Sequence, residues 1–270
     1  MPRPTAAQID AADPYVFMAL LKKKVVHPGG GKATDEALAF AAITAEQHVL
    51  EVGCGVGTTA VRLAREVGCR VTATDIDTEM VTRTQDRVHQ ADVEHLVTVE
   101  QADVHQLPYS DHTFDTVLME AVVMFTNREQ AVREVMRVLR PGGRLVDHEF
   151  IWRSPPTDDA RRVFTGEVCP GIVFESVEDW VALYEGIGFH TIAHATGPFR
   201  MMTPRGFLTD EGLRNSLTIM ANVLTNPAAV KKMAWLMRRM VPVMPSLGYV
   251  VLAADKPAHH QRQTCSLPVH

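Results

Sequence analysis

Residues 49–57 read VLEVGCGVG, an apolar run that ends in glycines at 53, 55 and 57 with Glu51 just ahead of them. A strand that turns this abruptly toward a helix needs glycine where the backbone takes positive φ or lies close to a ligand. The feature therefore points to an α/β chain whose first strand feeds a ligand-approaching turn. Dinucleotide folds space these glycines as GxGxxG, the third one letting the helix pack against the strand, but Thr58 stands at that third place. A phosphate-cradling loop would read GxxxxGK and then Ser or Thr. No such lysine follows, so neither phosphate reading fits, and a bare strand-to-helix connection stays as the plain alternative.

The surrounding pattern extends the α/β reading. β-rich runs at 48–52, 70–75, 96–102, 115–120 and 144–150 alternate with amphipathic stretches such as TTAVRLAREVG and REQAVREVMRVL, the second stopped by Pro141-Gly142-Gly143. This is the order of a parallel sheet with helices on both faces. A helix over 177–189, a strand near 190–196 and a last strand over 247–257 complete seven strands. Between the last two, residues 204–244 read as two helices forming an inserted lid. Leu213, Leu217, Met220, Ala221 and Leu224 share one face of the first. The second opens at Asn226-Pro227, a cap followed by a first-turn proline, and its apolar side is Val230, Met233, Ala234, Met237, Met240 and Val241, with Lys231, Lys232, Arg238 and Arg239 turned away. Residues 1–46 read as an N-terminal helical cover, 47–257 as the binding domain and 258–270 as a loose tail.

Charge and cysteine usage exclude some classes. A net charge of −5 with scattered Lys and Arg gives no field for nucleic acid. No stretch reaches the roughly 18 apolar residues of a membrane span, and the N-terminus has no signal core. Cysteines 54, 69, 169 and 265 form no metal-ligand spacing, which suits free thiols in a reducing, cytoplasmic setting and predicts no bound metal.

Spacing then sharpens the glycine turn. Asp75 ends the second strand 22 residues after Gly53, where a carboxylate can accept both hydroxyls of a ribose. Ala102-Asp103 ends the third, where Asp103 can accept from an adenine amino group. With LPYSDHTFDTVLMEAVVMF and LRPGGRL following in order, the segment 47–150 resembles the class I S-adenosylmethionine-dependent methyltransferases, most closely the broad group that includes ubiquinone and menaquinone methyltransferases. The resemblance implies a Rossmann-like, doubly wound, seven-stranded and mainly parallel sheet. It also implies S-adenosylmethionine as cofactor, with S-adenosylhomocysteine as product, held by Glu51, Gly53, Cys54, Gly55, Gly57, Asp75, Ile76, Asp103, Val104 and Glu120. A cationic sulfonium without phosphates is compatible with carboxylates near the turn.

The expected partner is a small methyl acceptor, apolar or aromatic, met by a monomer or homodimer. Ligands lie at the carboxyl ends of the strands, so Glu120, His148 and Glu149 are the candidates for taking an acceptor proton. Glu120 can equally cap the following helix or contact the cofactor, and His148 reads also as a hydrogen-bonded core residue. His27 and Tyr15 could reach over the cofactor from the cover. Methionines 201, 202, 220, 233, 237, 240 and 244 are plain core or the apolar lining of a lid, and Cys169 raises a thiol or metalloid acceptor as a minor option. The alternative to an enzyme is a catalytically silent protein that binds the same cofactor as a sensor or partner. A nicotinamide-dependent oxidoreductase is disfavoured by Thr58.

Overall fold

A computed structural model describes residues 4–174 and 176–258. Seven strands form one sheet: β1 (His48–Val52), β2 (Arg70–Asp75), β3 (Val97–Gln101), β4 (Phe114–Glu120), β5 (Leu139–Trp152), β6 (His190–Pro198) and β7 (Leu247–Asp255), in the order β3-β2-β1-β4-β5-β7-β6. All adjacent pairs from β3 to β5 are parallel, and β7 runs antiparallel to both of its neighbours. The chain winds outward from β1 to β3 and then returns to β4 on the other side of β1. Such a reversal leaves a crevice at the carboxyl ends of β1 and β4, the standard ligand position in open α/β sheets.

Alternation along each strand feeds two cores, one per face. Leu50, Val52, Val117, Met119 and Leu145 belong to one, and Val49, Val71, Ala73, Leu118 and Val146 to the other. Three helices precede the sheet: α1 (Ala6–Ala11), α2 (Pro14–Leu20) and α3 (Gly31–Ala41). The crossovers carry α4 (Thr58–Glu66), α5 (Thr78–Ala91) and α6 (Arg128–Val138), and then come α7 (Asp158–Arg162) and α8 (Val177–Ile187). β5 begins at Leu139, five residues ahead of the expected start at 144. Leu139 pairs with Phe114 before a bulge, and positive φ at Gly142 carries the strand through the Pro-Gly-Gly stretch.

The segment 204–244 folds as α9 (Pro204–Leu224) and α10 (Pro227–Val243), the latter capped by Asn226 as expected. Its faces differ from the sequence reading. Leu213, Leu217, Met220 and Leu224 lie 58–69% exposed, whereas Glu211 and Ile219 are buried. Gly212 breaks the helix with φ 68° and ψ 166°, and polar side chains turn inward. The Glu211 carboxylate accepts the N–H groups of Lys24 and Val25, and Asn215 and Asn222 donate to the carbonyls of Lys22 and Leu21. The irregular backbone of 21–25 needs those partners once it is buried, and this requirement overrides the apolar stripe. In α10, Val230, Ala234 and Val241 are exposed while Ala229, Leu236 and Val243 are buried beside Met240. Lys232 also turns inward, its Nζ donating to the carbonyls of Ile9 (2.6 Å) and Asp10 (3.1 Å) at the end of α1. Those carbonyls have no helical partner of their own, so a cation there is favoured. The expected tail is described only to residue 258, and the rest of it lies outside the described residues.

Candidate active site

A cavity of about 650 Å³ occupies the crevice above β1 and β4. The glycine turn forms its floor. Gly53 has φ +70°, and a Cβ there would stand 2.4 Å from Val122 Cγ2, so the first glycine lets two chain turns touch. Gly55 has φ +55° with no protein atom within 4 Å of where its Cβ would point. That empty direction leaves room for something other than protein to lie against the backbone.

Carboxylates line this half. Asp75 Oδ2 accepts the Gly55 N–H at 2.9 Å and Oδ1 the Asp77 N–H at 3.0 Å, which fixes the side chain at the turn and leaves lone pairs for hydroxyl donors. Burial raises its carboxyl above the usual range. Glu51 is 5% exposed, its Oε2 has no hydrogen-bond partner among the described residues, and burial followed by repulsion from Glu120 and Asp75 pushes its carboxyl well up. No described Lys or Arg makes an ion pair with Glu51, Asp75 or Glu120, so the charge on Glu120 and Asp75 is not offset by a Lys or Arg, and the raised Glu51 carboxyl ionises readily only beside a positive ligand. A ligand carrying positive charge is what such a wall favours. Asp103 stands at the mouth, its carboxylate held by His105 through the backbone N–H (2.9 Å) and Nδ1 (2.7 Å). Because His105 Nε2 accepts from the Asn127 N–H, its proton sits on Nδ1 and is donated to Asp103. Ile76, 64% exposed, and Val104 complete this edge with apolar surface, and Cys54 lines the floor as a buried thiol.

At the far end the chain makes a strained turn. Glu120 ends β4, and Ala121 takes φ +62°, a conformation uncommon for a residue with a Cβ. The Ala121 N–H bonds the His148 carbonyl at 2.6 Å, and Glu149 Oε1 accepts the N–H groups of Val122 (3.0 Å) and Val123 (2.6 Å). Glu149 is fully buried and does not line the cavity; the structure places it as a brace for this turn. His148 is likewise fully buried behind the wall.

Glu120 faces the cavity with both oxygens engaged. Thr59 donates to Oε1 at 2.8 Å and Thr34 to Oε2 at 2.7 Å. Burial acts to raise its carboxyl, but His27 and His148 outweigh that and hold it well below the usual range. The hydroxyl hydrogen of Thr34 is spent on Glu120, so its 3.1 Å contact with His27 Nε2 makes that nitrogen the donor. Nδ1 of His27 then keeps a bare lone pair, buried and without a described partner. Burial pulls His27 down to about 4, so it is neutral at physiological pH.

The apolar half of the cavity comes from the N-terminal segment, with Pro14, Tyr15, Val16, Ala19, Val25 and Val26, and from Phe125, Val168, Cys169 and Pro170. None of the described residues of 204–244 lines it, so the methionines there do not form its wall. Sequence reasoning did not single out Thr34 and Thr59, which set the Glu120 carboxylate. Their only sequence signal is a hydroxyl in the first turn of a helix, a common feature. It also left His27, Glu120 and His148 unconnected, although the fold brings them together.

Residues 50–147 match the methyltransferase domain family. Methyltransferase GfsG of Streptomyces halstedii is 30% identical, over 84% of this chain and 81% of its own. The 27-O-demethylrifamycin SV methyltransferase of Amycolatopsis mediterranei is 33% identical, over 84% and 83%. Among solved structures, the [4+2]-cyclase SpnF superposes with a TM-score of 0.74 at 21% identity, covering 96% of this chain and 99% of that one. A Haemonchus contortus phosphoethanolamine N-methyltransferase bound to S-adenosylmethionine superposes at 0.70, with 19% identity, covering 95% and 61%. The structural likenesses show the fold, whereas the two relatives alike over more than four fifths of both chains show the family. The cation-free carboxylates and the open glycine turn fit its cofactor, and this chain belongs to the S-adenosylmethionine-dependent methyltransferases.

Proposed function

We propose that the protein methylates a hydroxyl oxygen on an apolar small molecule. The carrying observation is the pairing of a neutral His27, its Nδ1 lone pair unpartnered, with an ionised Glu120 at one end of a cavity whose other walls are apolar. Asp75 holds the ribose, Asp103, Ile76 and Val104 the adenine edge, and Glu51 with the turn from Gly53 to Gly57, Cys54 included, the amino-acid end. Bound S-adenosylmethionine supplies an electrophilic methyl group on a positively charged sulfur. His27 accepts the hydroxyl proton as oxygen attacks, and Glu120 stabilises the imidazolium that results, general-base assistance commonly contributing about 10²- to 10⁴-fold. Walls of Val16, Val25, Val26 and Phe125 hold the acceptor and exclude water. Positioning of this kind supplies up to about 7–11 kcal/mol of a barrier.

The 27-O-demethylrifamycin SV methyltransferase, named for transfer to an oxygen of a large lipophilic molecule, supports an oxygen acceptor. This narrows the broader ubiquinone- and menaquinone-like reading to apolar hydroxyl acceptors. His148 and Glu149 act as positioning residues behind Glu120. Free buried thiols at Cys54, Cys69 and Cys169 suit a cytoplasmic setting, and the net negative charge disfavours a nucleic-acid partner. The test is a panel of apolar alcohols and phenols, each paired with its amine and thiol analogue, incubated with methyl-labelled S-adenosylmethionine. Label on oxygen supports the reading; label on nitrogen or sulfur alone rejects it.

A further inference from the structure

Behind His27 and Glu120 lies a ring whose nitrogens the positioning role does not account for. His148 is fully buried, and neither of its ring nitrogens has a hydrogen-bond partner among the described residues. A buried polar atom without a partner normally costs about 1–3 kcal/mol, so two on one ring call for a reason. Its Nδ1 lies 3.7 Å from Glu120 Oε2, and His27 Nε2 lies 3.4 Å from the same oxygen. The two imidazoles meet edge to face with centroids 4.8 Å apart. One ligating atom from each of His27, Glu120 and His148 lies within 4.8 Å of the other two.

We propose that His27, Glu120 and His148 form a binding site for a divalent transition-metal cation of the Zn²⁺ type, and that its occupancy inhibits methyl transfer. Two imidazole nitrogens and one carboxylate oxygen are the donor set that zinc, cobalt and related ions take, and magnesium or calcium would want oxygen alone. Bonds of about 2.0–2.2 Å to each atom set neighbouring donors of a tetrahedral ion a little over 3 Å apart. The two imidazole nitrogens stand 3.4 and 3.7 Å from Glu120 Oε2, close to that spacing, and within 4.8 Å of each other, so coordination draws the two rings together. Thr34 and Thr59, donating to the two Glu120 oxygens, would orient the carboxylate from outside the coordination sphere. The three residues come from the N-terminal segment and from β4 and β5, so their sequence spacing carries no metal signature.

Two consequences give the inhibition. A cation on His27 Nε2 requires the ring proton to sit on Nδ1, which removes the lone pair that would receive the acceptor proton, and it takes the Glu120 oxygen that would stabilise the imidazolium. It also sets positive charge beside the place of the sulfonium, so it disfavours S-adenosylmethionine more than the neutral sulfur of S-adenosylhomocysteine. The proposal rests on the role given above to His27 and Glu120 for its effect on turnover, whereas binding itself can be read without any acceptor.

The experiment is calorimetric titration of the full chain with ZnCl₂, and with CoCl₂ while following the visible absorption of tetrahedral cobalt. MgCl₂ serves as the control. The chain has twelve histidines, so the count that matters is the difference between proteins. We expect His27→Asn and His148→Asn each to lose one equivalent of tight zinc and the cobalt band, while binding of S-adenosylhomocysteine shows that the variants are folded. Should His148→Asn fail to fold, His27→Asn alone decides. We also expect saturating zinc to weaken S-adenosylmethionine at least about tenfold more than S-adenosylhomocysteine, about 1.4 kcal/mol of coupling. Unchanged zinc stoichiometry in folded His27→Asn, or zinc binding that discriminates neither ligand, overturns the proposal. Absent metal binding leaves the hydroxyl reading standing, and absent transfer to hydroxyls leaves the titration readable.

Discussion

At the scale of single residues, the cofactor half of the site turns on Asp75 and Gly55. Hydrogen bonds to a charged partner contribute about 1.5–3 kcal/mol each, so losing the carboxylate that faces a ribose costs at least about tenfold. Asp75→Ala should weaken S-adenosylhomocysteine by that factor in calorimetry, and a folded variant with unchanged affinity would remove the assignment. Gly55 gives a second reading of the same turn. A methyl group there meets no protein atom but demands positive φ, a cost of about 1–2 kcal/mol. Gly55→Ala should therefore lower ligand affinity by more than that strain lowers folding stability; equal losses in both would mean that no ligand approaches this glycine. Much of this half is legible in the sequence, since Gly53, Gly55, Gly57, Asp75 and Asp103 sit at fixed offsets from strand ends. The other half is less so. Thr34, Thr59 and His27 reach Glu120 from separate helices and a connecting segment, and no periodicity relates residues whose only link is tertiary packing.

At the scale of elements, α9 acts on the site indirectly. It lines no part of the cavity, yet Glu211 binds the Lys23 ammonium at 3.2 Å and the N–H groups of Lys24 and Val25, and Val25 with its neighbours forms the cavity wall. Both side chains of the Lys23–Glu211 pair are fully buried. Removing one partner of such a pair costs about 3–5 kcal/mol, whereas replacing both by apolar groups of similar size is close to neutral. Glu211→Ala should lower thermal stability by that amount, and Lys23→Met with Glu211→Leu should recover part of it; the double variant would still lack the backbone acceptor. A loss below 1 kcal/mol in Glu211→Ala would mean the wall is held by other contacts. The strands are legible because buried parallel strands read as continuous apolar runs, and His48–Val52 and Arg70–Asp75 fall where the sequence puts them. The faces of α9 and α10 are not. Periodicity puts Leu213, Leu217, Met220 and Leu224 on one apolar face, which the structure leaves exposed, while Glu211, Asn215 and Asn222 are drawn inward by bare backbone in a distant segment, a demand that local patterning does not contain.

For the whole molecule, the site is a crevice at a sheet reversal, roofed by chain from the N-terminus and backed by a brace of Glu149 and His148 behind Glu120. A ligand that binds only the folded chain stabilises it by mass action, about 2.7 kcal/mol at one hundred times its Kd. S-adenosylhomocysteine at that ratio should raise Tm by roughly 5–11 °C for a chain of this size, and NAD at equal concentration should not. Equal shifts from both would contradict the reading of Thr58 and the glycine turn.

The most direct measurement compares Glu120→Gln with the wild-type chain in transfer of labelled methyl to an accepted apolar hydroxyl, at saturating S-adenosylmethionine. Glutamine keeps the size and the bonds from Thr34 or Thr59 but loses the charge that supports a protonated His27. We predict a fall in kcat of about 10²-fold or more, as for loss of general-base assistance, with S-adenosylhomocysteine affinity within a few-fold of wild type. Normal turnover at saturation together with lost cofactor binding would contradict the account and move Glu120 into the cofactor site.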